Sequence, residues 1–280
     1  MQAGRTCSSS KACRPGTGVP RAGAGRLFSF AAGVMLSAFV SLPISAAAAP
    51  PSQDASSASF TRADFGGESP SKETRYVADW IVHSNDHTGL PFAIVDKAQA
   101  KAFVFYPNGK LRGSAPVLLG IAKGDDSAPG IGERELSDIP VEQRTTPAGR
   151  FQASIGRNAY GKDVLWVDYA AAISMHRVIN TNPKERRPQR LATPTPLDNR
   201  ISFGCINAPI KFFEEVVLPA FSSGTHGIVY VLPEVRPLNK VFAAYDVDEA
   251  VTKTAEAASS SPATFASHSA STRPGVTAGQ

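Results

Sequence analysis

Apolar residues recur along the middle of the chain with two periods, and the change from one to the other marks its elements. Tyr76, Val77, Trp80 and Ile81 fall on one face of a helix, and Asn85-Asp86 begins the turn that ends it. Short apolar runs follow at Phe92 to Val95, Ala102 to Tyr106 and Ala115 to Leu119, with Asn108-Gly109 as the hairpin turn before the third. Arg150 to Ile155, Val164 to Tyr169, Ala172 to Ile179 and Gly227 to Leu232 are rich in β-branched and aromatic residues and predict further strands. A second helix is predicted behind Asn207. Ile210, Phe213 and Val217 share a face, Asn207 can cap the N-terminus, Pro209 is tolerated in the first turn, and Pro219 ends it. The pattern therefore predicts one mainly β, β-rich α+β domain over residues 73–248, without internal repeats.

On either side the pattern fades. Residues 49–72 and 249–280 are rich in Ser, Ala, Pro, Thr and Gly, and are expected to form a disordered linker and a disordered tail, because they hold too little apolar surface to offset the entropy of ordering. Residues 1–48 differ again. Five basic residues ending at Arg26 precede an apolar run from Leu27 to Leu42, and the string Ser45 to Ala49 fits a small-residue cleavage site. This reads as a signal peptide, with a retained membrane anchor as the alternative; both place the protein outside the cytoplasm, in the periplasm or cell envelope.

The leader changes the meaning of the charge. The 280-residue chain carries 29 Lys and Arg against 24 Asp and Glu, a net +5. The leader holds the whole excess and no acidic residue, leaving 24 against 24 behind it. The balance gives no support for binding nucleic acid, and none is expected as a partner.

The leader also changes the cysteine count. Cys7 and Cys13 would leave with it, and Cys205 would remain as a single thiol in an oxidising compartment, where it is buried and inert, paired between chains, or a reactive nucleophile. It lies in Ser202-Phe203-Gly204-Cys205-Ile206-Asn207, on a turn between a short predicted strand and the predicted helix. Amides converging at a helix N-terminus favour thiolate and suit a developing oxyanion, and Gly204 lets a substrate backbone approach the sulfur. A thiolate nucleophile needs a proton shuttle. His176, within Ile173 to Val178, would be presented by a strand; the other reading is a hydrogen-bonded core histidine. His226 sits on a Ser- and Gly-rich turn. His83 and His87 have metal-pair spacing, but the turn between them argues against a metal site.

The segment Ser202 to Asn207 resembles the S-x-G-C-hydrophobic-N/R signature of the L,D-transpeptidase catalytic domain, the YkuD type. His176 is similar to that family's upstream histidine. Thr146-Pro147-Ala148-Gly149-Arg150-Phe151 resembles its T-P-x-G-x-F turn and strand, and Phe92 to Lys97 its opening strand. The resemblance spans about residues 75–235 and implies a β-sandwich or barrel with the cysteine at a strand-to-helix junction. It implies an exported enzyme of peptidoglycan biosynthesis, wall biogenesis and cell shape, with no metal or organic cofactor.

Carried onto this chain, the resemblance makes Cys205 the nucleophile and His176 the general base and then acid. The amides of Gly204 and Cys205 become an oxyanion hole, with Ser202, Phe203 and Asn207 shaping the pocket. The implied partners are peptidoglycan stem peptides and, as one acceptor, a wall-anchored protein. Two residues depart from the pattern: Phe203 stands where many members carry His, and Arg177 where Gly usually follows the histidine. The span from His176 to Ser202 is also long and basic, with Lys184, Arg186, Arg187 and Arg190. It reads as a solvated loop, or as a lid whose cations meet peptide carboxylates. Arg177 and Arg200 lie nearer the motif and are the expected carboxylate partners. Three other readings stay open: a noncatalytic wall-binding protein on the same fold, a sortase-type enzyme with Cys on a strand and a later Arg, and a papain-type order that would use His226.

Overall fold

A computed structural model describes residues 62–224 and 226–259. The predicted leader and most of the tail lie outside the described residues. The first element is α1 (Lys72–Ser84), capped by the Ser71 side chain, which accepts from the Thr74 N–H, and closed by Asn85 in the left-handed conformation. Ser71 Oγ and Thr74 Oγ1 both donate to Asp96 Oδ2, at 2.6 and 2.9 Å, tying the helix start to the end of the first strand.

Among the described residues ten strands follow: β1 (Phe92–Asp96), β2 (Lys101–Phe105), β3 (Leu111–Pro116), β4 (Leu119–Gly120), β5 (Gly149–Arg157), β6 (Asp163–Asp168), β7 (Ile173–Arg177), β8 (Arg200–Ser202), β9 (Ile206–Ala208) and β10 (Gly227–Val231). Eight form one sheet in the order β3-β2-β1-β10-β5-β6-β7-β9, while β4 and β8 pair separately in parallel. Leu118, just past β3, exchanges two backbone hydrogen bonds with Asn207 in β9 at 2.9 and 2.8 Å, which brings the two ends of the sheet together into a nearly closed wall. The mainly β expectation holds.

The central strands are buried on both faces, which explains their near-continuous apolar runs. Side chains alternate across β1. Phe92 and Ile94 pack with Phe103, Phe105, Tyr230 and the α1 residues Val77, Trp80 and Ile81, while Ala93 and Val95 face a second cluster with Val104, Val229, Phe213 and Phe221. The last two belong to α3 (residues 210–222), which changes register over Phe213–Val217 with a π turn. The remaining helices are α2 (Arg187–Ala192) and α4 (Val247–Ser259).

Four expectations are corrected. The strand expected over Ala115 to Leu119 is two strands, because β3 begins at Leu111; its half-exposed Arg112 and Ser114 made it look like a loop. Residues 62–71 are not a free linker. Asp64 bridges Lys110, and Phe65 is buried edge-on against Phe103 and Phe105 at 5.7 and 5.2 Å between ring centres; one aromatic in a polar stretch is enough to anchor it. The start of the expected tail, residues 249–259, is helical: it continues α4, which is anchored in the domain by buried Val247 and by Asp248 paired with Arg62. Finally, Cys205 is not at a strand-to-helix junction. It is followed by β9, whose backbone pairs with β7 on one side and Leu118 on the other, and helix α3 starts one turn later, after Pro209.

Candidate active site

A cleft of about 1110 Å³ opens over β6, β7 and the β8–β9 turn, and Cys205 and His176 both line it. The turn that carries Cys205 is held from several directions. Gly204 has φ +125, and a Cβ there would lie 2.6 Å from the Thr145 carbonyl oxygen and 2.7 Å from Ile173 Cδ1, so only glycine fits. Thr146 Oγ1 donates to the Gly204 carbonyl at 2.8 Å and accepts from the Gly120 N–H at 2.9 Å. Ser202 Oγ accepts from the Gly204 N–H at 3.1 Å and donates to the Cys205 carbonyl at 2.6 Å; Asn207 Nδ2 donates to the same carbonyl at 3.2 Å.

β7 and β9 run parallel, with His176 opposite Asn207; the His176 and Cys205 side chains both line the cleft, and Cys205 Sγ donates to the Ala172 carbonyl at 3.6 Å. His176 Nδ1 lies 2.7 Å from the Arg177 carbonyl. A carbonyl only accepts, so Nδ1 carries the proton and Nε2 is left for the sulfur. Ser174 Oγ is 3.7 Å from Sγ. Burial opposes charge on both groups, yet the attraction between them outweighs it: the Cys205 thiol is held below its ordinary range and His176 above its own. The bond to the Arg177 carbonyl also raises His176, while Arg187 nearby lowers it. Both shifts run in the direction that favours a thiolate beside an imidazolium. His226 opens β10 and does not line the cleft.

The other expected residues divide. Phe203 lines the cleft with the Arg144 guanidinium 3.9 Å above its ring. Arg177 lines it too, bonded through Nε to Glu214 at 2.8 Å and packed over Phe213. Ser202 and Asn207 are buried and brace the turn; Asn207 does not cap a helix, and its Oδ1 accepts from Arg187 at 2.7 Å. The Gly204 N–H is committed to Ser202, which leaves the Cys205 N–H of the two expected oxyanion donors. Arg200 is not at the cleft. It pairs with Glu234 and donates to the Lys97 carbonyl, within a buried network of Lys97, Asp125 and Glu234.

Arg144 lines the cleft without having been singled out in the sequence, and Arg187, expected only as one cation of the basic span, lines it as well. Arg187 belongs to the basic excursion, which folds into a short 3-10 turn and α2 with Leu191 buried. Its guanidinium bridges Glu185 and Asn207, so the span is neither a plain solvated loop nor detached from the site. Cys205 does precede a strand, as in the sortase reading. Yet among the described residues the one arginine after it, Arg236, bonds Asp125 and Asp126 and does not line the cleft.

Protein-family models and curated protein sequences give no match to the chain. Solved structures do. The chain is similar in structure to L,D-transpeptidases. One is the LD transpeptidase LdtMt1 in complex with imipenem, with a TM-score of 0.31 and 16% identity over 51% of this chain and 58% of that one. The catalytic domain of the E. faecium L,D-transpeptidase has a TM-score of 0.29 and 18% identity, covering 52% of this chain and 99% of that domain. The helical cell shape determining protein Pgp2 from Campylobacter jejuni has a TM-score of 0.36 and 15% identity, covering 58% and 52%. The chain thus spans about half the length of the cell-shape protein. The chemistry below is read from this chain's own side chains.

Proposed function

We propose that this protein is an exported cysteine acyltransferase of the L,D-transpeptidase type, acting on peptidoglycan stem peptides in the periplasm or cell envelope. The observation that carries the proposal is the Cys205–His176 pair: a thiol and an imidazole lining one cleft, the imidazole fixed through Nδ1 by a carbonyl and lowering the thiol, on a turn that tolerates only glycine before the sulfur.

In this reading Sγ attacks the carbonyl that joins the L-centre of the stem's diamino acid to the terminal D-alanine. The oxyanion takes the Cys205 N–H, and His176 delivers its proton to the departing amine, so a thioester forms as D-alanine leaves. An amine then enters, His176 removes its proton, and the new amide releases the thiolate. A second stem peptide as acceptor gives a 3-3 cross-link, a wall-anchored protein a protein-to-wall link, and a free D-amino acid an exchange; water in its place gives carboxypeptidase activity. Among the described residues no helix is long and apolar enough to cross a membrane.

The two departures from the family pattern do not break the pair. Phe203 is stacked by Arg144, and Arg177 is turned onto Glu214 and Phe213. The test is D-alanine release from disaccharide tetrapeptide by the full chain. Release is expected, and its loss in Cys205→Ala and His176→Ala; release that survives Cys205→Ala overturns the reading. Tight binding to sacculi without release, unchanged by either substitution, would instead favour the noncatalytic wall-binding protein.

A further inference from the structure

Four arginines line the cleft, and three are satisfied by the protein. Arg134 donates to Gln143 Oε1 and the Pro129 carbonyl, Arg177 to Glu214 and the Asp163 carbonyl, and Arg187 to Glu185 and Asn207. Arg144 differs. Its Nε donates to the Ile139 carbonyl at 2.9 Å and its guanidinium carbon lies over the Phe203 ring, 3.9 Å from the ring centre, with no acceptor on its terminal nitrogens among the described residues. Stacking covers the faces of a guanidinium and fixes its plane, while leaving the donor edge free for the two oxygens of a carboxylate.

The backbone sets this group beside the nucleophile. Ala122 N–H donates to the Arg144 carbonyl at 3.2 Å, and the next carbonyl, of Thr145, is the atom that forbids a side chain on Gly204. Phe203, the platform, is two residues before Cys205. One of the two residues at which this chain departs from the family pattern is thus the one that holds Arg144 in the cleft.

We propose that Arg144, presented on Phe203, binds a carboxylate of the acyl-donor peptide and makes the site select acids over the corresponding amides. The identity of the donor rests on the function proposed above; the anion selectivity beside Cys205 does not. Two carboxylates of a stem peptide qualify, that of the terminal D-amino acid and that of the diamino acid side chain.

Kinetics with tetrapeptide carrying both free carboxylates, or with either one amidated, separate the sources. In Arg144→Gln the KM for the free acid is expected to rise by about 10- to 100-fold, as for the loss of one charge-assisted hydrogen-bonded pair, with kcat changed much less. The amide that wild type binds as poorly as Arg144→Gln does identifies the carboxylate. Phe203→Leu, which removes the platform, should reproduce a large part of the effect, and Arg187→Gln should leave the preference for acid in place. Equal KM for acid and both amides in wild type overturns the proposal.

A second arm needs no turnover: the ratio of Cys205 alkylation rates by iodoacetate and iodoacetamide. It should fall at least about threefold in Arg144→Gln, with Arg144→Lys between the two, and this holds for any protein in the series whose thermal midpoint matches wild type. A ratio unchanged by Arg144→Gln overturns the proposal. A ratio that falls while no stem peptide turns over supports the anion site and refutes the donor assigned to it.

Discussion

Thr146 Oγ1 donates to the Gly204 carbonyl at 2.8 Å, so the hydroxyl of a residue in the β4–β5 connection fixes the turn that carries Cys205. The same hydroxyl accepts from Gly120, and the Thr146 carbonyl accepts from the buried Lys97 ammonium at 2.9 Å. Thr146→Val keeps the shape and removes the donor. It should cost about 1–3 kcal/mol of stability, because two buried backbone groups lose their partner. Cys205 alkylation and turnover should fall with it, and Thr146→Ser should restore both; urea unfolding and alkylation rates check this.

Gly204→Ala places a methyl carbon against the Thr145 carbonyl at a φ of +125 that side chains rarely adopt. The expected loss is about 1–3 kcal/mol from backbone strain alone, and more from the contact. Denaturant midpoints measure it. An alanine variant of wild-type stability and turnover would show that the turn is not the tight fit described here.

Lys97 is buried between Asp125 Oδ1 at 2.8 Å and Glu234 Oε1 at 3.6 Å. Lys97→Met removes the cation the two carboxylates share, leaving Arg200 on Glu234 and Arg236 beside Asp125, and should cost about 1–3 kcal/mol. Burial alone would push the Asp125 carboxyl up, but the Lys97 bond and the N–H groups of Arg236, Glu234 and Val235 outweigh it and hold it at about 2, below its ordinary 3.8. A lowered carboxyl contributes stability that is full above its unfolded value and lost as pH falls through its folded one. Wild type should therefore lose about 2 kcal/mol between pH 3.8 and pH 2 from this group. Asp125→Asn should flatten that part of the stability curve measured by pH-dependent unfolding.

Because His176 lowers the Cys205 thiol, alkylation by iodoacetamide should persist below the pH at which a free thiol becomes unreactive. His176→Ala removes the group that lowers the thiol, and the profile should move to higher pH. A profile identical in wild type and His176→Ala would mean that the two side chains are not coupled.

The elements that pack both faces of the sheet were legible in the sequence, because Phe92 to Val95 and Gly227 to Leu232 owe their apolar character to burial. So were Cys205 and His176, through chemistry and order along the chain. Ile206–Ala208 was not, since three residues carry too little pattern and become a strand only by pairing with β7 and Leu118. Arg200 and Arg144 show the same limit from opposite sides. Proximity to Cys205 in sequence suggested the first, which Glu234 draws away; the second lies 61 residues before Cys205 and reaches the cleft only because the β4–β5 connection packs on the Gly204 turn. Phe65 was hidden by the composition of its neighbours.

The central claim is that Cys205 becomes acylated by a stem peptide. Intact-mass analysis of the full chain quenched in acid during turnover with disaccharide tetrapeptide, followed by peptide mapping, tests it directly. The expected product is an adduct of the donor minus its terminal D-alanine, carried by the peptide that contains Cys205 and absent from Cys205→Ala. D-alanine release with no adduct on that peptide, or an adduct that persists in Cys205→Ala, would contradict it.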